Sequence, residues 1–123
     1  MATTKKPETF TELYFADHLN LPKDTTLDKE NKFKFTLHNL ESKEMTYPYE
    51  VYIDSNGEKQ MVGQGSVNLK QDEYKTIEES YTLTQPIKRA QVIVNLIDKH
   101  QQIDFWIDEG NNPEPNPNEI FHL

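Results

Sequence analysis

The chain contains no cysteine. Disulfides, thiolate zinc sites and cysteine nucleophiles are therefore excluded. Long apolar runs are absent too, and nothing approaches the roughly 18 residues that a membrane-spanning helix needs. The opening Met1-Ala2-Thr3-Thr4-Lys5-Lys6-Pro7 has two lysines but no apolar stretch behind them, so it does not read as a signal peptide. There is no Asn-x-Ser/Thr glycosylation acceptor. Glycine is sparse at 4 residues, and three of the 7 prolines crowd into positions 113–117. Basic side chains are missing from the whole stretch after Lys99, where Asp104, Asp108, Glu109, Glu114 and Glu119 stand alone. With a net charge of -8 and no basic stripe, the chain lacks the clustered Lys and Arg that phosphate neutralisation needs, and nucleic acid is not an expected partner.

What is present is a modest stock of core-forming residues. Leu, Ile, Val and Phe number 29 of the 123 residues, above the composition typical of disordered chains. One domain of this length buries enough surface for a single core. The dominant pattern has period two, the mark of half-buried strands. It runs through Thr9–Phe15, through Phe33, Phe35 and Leu37, and through Tyr47, Tyr49, Val51 and Ile53. Asp54-Ser55-Asn56-Gly57 follows, and Asn-Gly is a strong hairpin signal because both residues tolerate positive φ. Met61–Leu69 resumes as a strand in which Gly63 and Gly65 mark a bulge or bend. Tyr74–Leu83 is the next strand, and Gln85-Pro86 breaks it.

In the last two strands Val92, Val94 and Leu96 share one face, as do Ile103, Phe105 and Ile107. A two-residue turn at Lys99-His100 would pair Leu96 with Ile103, Val94 with Phe105 and Val92 with Ile107, with a longer loop as the alternative because Lys-His is not a favoured turn dipeptide. About seven strands with regular turn signals predict an all-β, immunoglobulin-like antiparallel sandwich. Its expected limits are residues 8–108, between an N-terminal extension at 1–7 and an acidic Pro/Asn-rich tail at 109–123. Tyr81, ahead of a corner, is expected to hydrogen-bond backbone as a tyrosine corner does.

Three segments resemble a known family. Phe10-Thr11-Glu12-Leu13-Tyr14-Phe15 resembles the start of the soluble domain of an uncharacterised archaeal and bacterial membrane-protein family. Leu37-His38-Asn39-Leu40-Glu41, with Tyr47 opening the next strand, resembles that family's strand, turn and tyrosine strand. Phe105-Trp106-Ile107 is similar to its last strand, and bacterial adhesion-related immunoglobulin-like domains share the architecture. The resemblance implies an extracytoplasmic domain tethered to a membrane in the full-length protein. It implies no activity, cofactor or catalytic residue.

The residues themselves offer no catalytic constellation. His100 lies near Asp98 and Asp104, but no nucleophile elbow accompanies it. His18, His38, His100 and His122 lack metal-ligand spacing, so no metal or other cofactor is expected, with calcium at the acidic start of the tail the one alternative. Glu12 and Glu41 are expected to be structural. The aromatic surface carries the expected function. In the register above, Trp106 points away from the core opposite Ile93, with Ile97 on the same face and Tyr52 on the adjoining strand. Trp106, Ile93, Ile97 and Tyr52 would form an exposed apolar patch for a protein partner or self-association, unless the N-terminal strand or Ile120-Phe121 covers it and Trp106 serves structural packing instead. The chain thus reads as a non-catalytic interaction or spacer module. The alternatives are a carbohydrate-binding module that stacks sugars on Trp106 and Tyr52, and a calcium-assisted adhesion domain.

Overall fold

A computed structural model describes residues 9–23, 27–85, 87 and 89–108. The N-terminal extension and the whole of the acidic tail, with its calcium candidates and Ile120-Phe121, lie outside these residues. The alternating pattern produces seven strands: β1 (Phe10–Phe15), β2 (Asn31–Leu40), β3 (Met45–Ser55), β4 (Glu58–Leu69), β5 (Tyr74–Tyr81), β6 (Arg89–Leu96) and β7 (Gln101–Asp108). They form two antiparallel sheets, one ordered β1-β2-β5 and the other β4-β3-β6-β7. The expected immunoglobulin-like sandwich is the fold. A 3-10 turn at His18–Asn20 is the only helical element among the described residues, and no helix there is long and apolar enough to cross a membrane.

The inward faces follow the alternation. Leu13, Phe33, Phe35 and Leu37 of the first sheet meet Tyr47, Tyr49, Val51, Ile53, Val92, Val94, Leu96, Phe105 and Ile107 of the second. Asn56 and Gly57 both take positive φ, 54° and 88°, and Asp54 Oδ1 accepts the Gly57 N–H at 3.0 Å, closing the β3–β4 hairpin as its sequence predicts. The pairing jumps from Val51–Gly63 to Tyr52–Met61, so Val62 is the extra residue of a bulge beside the two glycines. Tyr81 donates its O–H to a backbone carbonyl, as expected, but to Pro22, 59 residues upstream rather than within its own corner.

The two β4 glycines have unequal reasons to be glycine. A Cβ on Gly65 would lie 2.7 Å from the Tyr49 hydroxyl and 2.9 Å from its ring carbon Cζ. That ring is buried and set edge-on against Phe35 at 5.4 Å. A Cβ on Gly63 would meet only the carboxylate end of Glu79, which can swing aside. Gly65→Ala is therefore expected to cost about 1–3 kcal/mol and Gly63→Ala distinctly less. Urea unfolding of both variants checks the ranking, and a larger loss in Gly63→Ala would refute it.

Candidate interaction surfaces

The sequence places Trp106, Ile93, Ile97 and Tyr52 on one outer face, and all four do point away from the core of the four-stranded sheet. They do not form the expected patch. The β6–β7 turn has four residues, Ile97–His100, with His100 at φ 53°, so Leu96 pairs with Gln101 and Ile93 with Asp104. Trp106 stands opposite Gln91 instead of Ile93. A two-residue slip keeps every side chain on its expected face, so the inward alternation survives while the neighbours change.

Ile97 ends three rows from Trp106, about 20 Å along the strand. The polar row Gln64–Glu50–Asn95–Gln102 lies between them, tied by an Asn95–Glu50 hydrogen bond of 2.9 Å. Exposure separates the four residues further: Trp106 and Ile97 are 43% and 44% exposed, Tyr52 and Ile93 only 8% and 5%. Tyr52 and Ile93 lie side by side in the sheet centre. The Lys59 ammonium sits 4.7 Å over the Tyr52 ring, which closes it as a stacking platform. Gln91 and Asp104 bond across the strand pair at 2.9 Å, next to Ile93. Trp106 has the Arg89 guanidinium 4.3 Å from its ring, and Arg89 also meets Asp108 at 3.7 Å. One face of the indole is thus occupied by a cation.

The outer face of the three-stranded sheet presents a more coherent aromatic surface, which the sequence reading missed. Phe10, Glu12 and Tyr14 of β1, Thr36, His38 and Leu40 of β2, and Tyr74 and Thr76 of β5 occupy three successive rows. Phe10, Tyr14 and Tyr74 are 43%, 44% and 65% exposed. The signal was available: Phe10 and Tyr14 alternate with the core residues of β1. At its centre His38 bonds Glu12 through Nδ1 at 2.8 Å and Asp72 through Nε2 at 3.0 Å, with the Tyr74 ring 5.6 Å away. Only the imidazolium can donate at both nitrogens. The Glu12 hydrogen bond, partly opposed by desolvation and reinforced by Asp72, raises the His38 pKa above its ordinary 6.5.

Because the folded-state pKa is the higher one, the clamp contributes its full stability below the unfolded pKa of about 6.5 and loses it as pH rises through the folded value. His38→Gln should therefore be destabilising at about pH 5.5 and close to neutral at about pH 9. Urea unfolding at the two pH values checks this, and a difference that grew with pH would refute it.

Two of the three segments that carry the family resemblance, Phe10–Phe15 and Leu37–Glu41 with Tyr47, meet at the end of the sandwich that holds the β2–β3 and β6–β7 turns. Thr11 Oγ1 donates to Glu41 Oε2 at 2.7 Å, so at 2.8 Å from the Tyr47 hydroxyl it must accept. Lys99 Nζ reaches the same Glu41 oxygen at 2.8 Å, and Gln101 Nε2 donates to the Thr11 carbonyl at 2.9 Å. The Lys99 and Thr11 hydrogen bonds hold the Glu41 carboxyl below the usual carboxylate range, while burial pushes the Tyr47 phenol up. Both glutamates of these segments bind side chains, Glu41 those of Thr11 and Lys99 and Glu12 that of His38.

An open groove of about 820 Å³ lies between the β3–β4 turn and the β5–β6 connection, lined by Ile53, Lys59, Leu83, Ile87 and Arg89 among others. His38, Glu41, Tyr47, Tyr49 and Glu79, the described groups with shifted titration, all lie outside its lining. No group of three or more potential metal ligands occurs among the described residues.

The fold is shared with solved structures. A β-glucosidase from Listeria innocua is 18% identical over 85% of this chain, with a TM-score of 0.67. The CARDB domain of a Pyrococcus furiosus protein is also 18% identical, over 82% of this chain and 96% of the domain, with a TM-score of 0.62. A crystal structure of that domain in complex with di-metal ions gives a TM-score of 0.60. The chain spans only 16% of the β-glucosidase, but nearly the whole of the CARDB domain. At these identities the likeness shows the fold alone. No protein-family model and no curated protein matches the chain.

Proposed function

We propose that this chain is a non-catalytic interaction module that binds a protein partner through the outer face of its three-stranded sheet. The observation that carries the reading is the row-by-row grouping of exposed Phe10, Tyr14 and Tyr74 around the Glu12–His38–Asp72 clamp. Large rigid aromatic groups supply contact area at little entropic cost, and three of them exposed on one sheet face around a charged centre suit a protein contact. The separation of the groove from the shifted titratable groups favours binding over catalysis, because active sites bring the two together. In the full-length protein the module stands outside the cytoplasm, tethered to a membrane. The resemblance of residues 10–15, 37–41 and 105–107 supports that setting.

The test compares wild type with Tyr14→Ser/Tyr74→Ser and with Trp106→Ser. Immobilised proteins are exposed to solubilised surface proteins of the source cells. Loss of a captured partner only in the double variant is the expected result. Loss only in Trp106→Ser would move the contact to the other sheet.

A second reading, a carbohydrate-binding module, is favoured by the exposed Trp106. Tyr52 no longer contributes to it, and Arg89 leaves one indole face for a sugar. This chain has one tryptophan, so its fluorescence reports that site alone. Emission that oligosaccharide titration leaves unchanged would remove this reading.

A further inference from the structure

The four edge strands of the sandwich are not equally protected. Sheet edges expose unpaired N–H and C=O groups, and proteins guard them with charges, proline or cover. Strand β1 carries Glu12, and Gln101 bridges to it from β7. Strand β5 carries Lys75, Glu78 and Glu79, and β7 carries Asp104 and Asp108. Strand β4 has no charged residue and no proline from Met61 to Leu69. It pairs with β3 on one side, and none of Met61–Asn68 makes a further backbone hydrogen bond to another described segment. The bulge at Val62 leaves Gly63–Leu69 as the regular stretch.

Beneath this edge lies a carboxylate that meets no cation among the described residues. Glu79 points inward from β5 and fills the space under Gly63. Its polar contact is the Tyr49 hydroxyl at 3.4 Å, and no ion pair involves it among the described residues. Burial raises its pKa, as expected for a carboxylate whose charge is poorly compensated.

We propose that the free edge of β4, Gly63–Leu69, accepts an extended peptide strand that carries a basic side chain and sets that cation against Glu79. Backbone hydrogen bonds to the edge would supply affinity and the alternate inward side chains specificity. A side chain directly beside Gly63 on an added strand has its Cβ about 5 Å away, within reach of the Glu79 carboxylate for a lysine or arginine. Charge argues against a second copy as the occupant. Each chain carries -8, and Gly63–Leu69 of another copy would bring no cation to Glu79. This site is separate from the aromatic face and goes beyond the reading based on it.

The probe is a synthetic peptide, Val-Thr-Val-Thr-Lys-Thr-Val-Thr-Val, and the control replaces its lysine with glutamate. Both are titrated into the isotope-labelled chain, with amide shifts and exchange read by NMR. The lysine peptide should perturb and protect amides of Gly63–Leu69. The glutamate peptide, or Glu79→Gln in the protein, should weaken binding about tenfold, and added salt should weaken the lysine complex. Equal affinity for both peptides, perturbation at another edge, or no binding of either would overturn the proposal. So would concentration-dependent protection of β4 in the free protein, which would assign the edge to a second copy. If Glu79→Gln does not fold, the peptide comparison and the salt series on wild type still decide.

Discussion

Asn39→Ala is expected to destabilise the protein by about 3–5 kcal/mol, a large part of the 5–15 kcal/mol that holds a domain folded. Asn39 is a polar side chain, fully buried at a position that the alternation of β2 assigns to the core. Its Nδ2 donates to the Lys43 carbonyl at 2.7 Å and to the Leu69 carbonyl at 2.9 Å, while its Oδ1 accepts the Glu41 N–H at 2.9 Å. One side chain thus joins the end of β2 to the β2–β3 turn and to the end of β4. Its backbone does the same for the β4–β5 turn, accepting from the Asp72 N–H at 2.7 Å and donating to Glu73. Alanine leaves three backbone groups without their partner, each costing about 1–3 kcal/mol where water cannot replace it. Asn39→Asp should be no milder, because a carboxylate turns an acceptor toward two carbonyls. Urea unfolding with a constant m-value measures both, and a loss below about 1 kcal/mol for alanine would refute the account.

Phe105→Ala should cost about 3–5 kcal/mol by a different route. Phe105 of β7 packs edge-on against Phe15 of β1 at 5.3 Å and Phe33 of β2 at 5.4 Å, and Phe33 lies 6.2 Å from Tyr81. The ring therefore fastens one sheet to the other, and its removal opens a cavity that rigid neighbours cannot close. Strand β1 is an edge strand of six residues and depends on this contact. Hydrogen exchange at Phe10–Phe15 should accelerate more than exchange in β3 or β6. Uniform acceleration across both sheets would show that β1 opens only with global unfolding.

These two residues mark how far the sequence can be read. Phe105 falls in phase with Ile103 and Ile107, and its inward direction is legible from three residues. Asn39 is in phase with Phe33, Phe35 and Leu37, but a polar side chain in a core position announces nothing about its partners. Those partners come from two other segments that close up on it. Likewise Thr11, Glu41 and Tyr47 stand in the segments that carry the family resemblance, yet nothing in their spacing shows that Thr11 bridges the other two.

The surface was less legible than the core. Alternation places Trp106 and Ile97 outward correctly, and equally Ile93 and Tyr52, which are nonetheless covered. Coverage depends on lateral neighbours, here Tyr52 against Ile93 and Lys59 above the Tyr52 ring, and these are set by pairing between strands. The β6–β7 pairing in turn depends on a four-residue turn closed by His100 in the left-handed region, which a Lys-His dipeptide does not advertise. The aromatic face of the first sheet is legible only in part, because Phe10 and Tyr14 alternate within β1 whereas Tyr74 joins them from β5, far along the chain.

The residue order alone determined the strands, their inward faces, the Asn56-Gly57 hairpin and the sandwich class. These are local properties, written in a period of two residues and in the φ tolerance of single side chains. The register of the last hairpin, the partners of Asn39 and Thr11, the gathering of Phe10, Tyr14 and Tyr74, and the edge of β4 above Glu79 emerged only when the sheets were assembled. Each depends on which strands become neighbours and on the length of the turns between them, and a single strand's pattern holds neither.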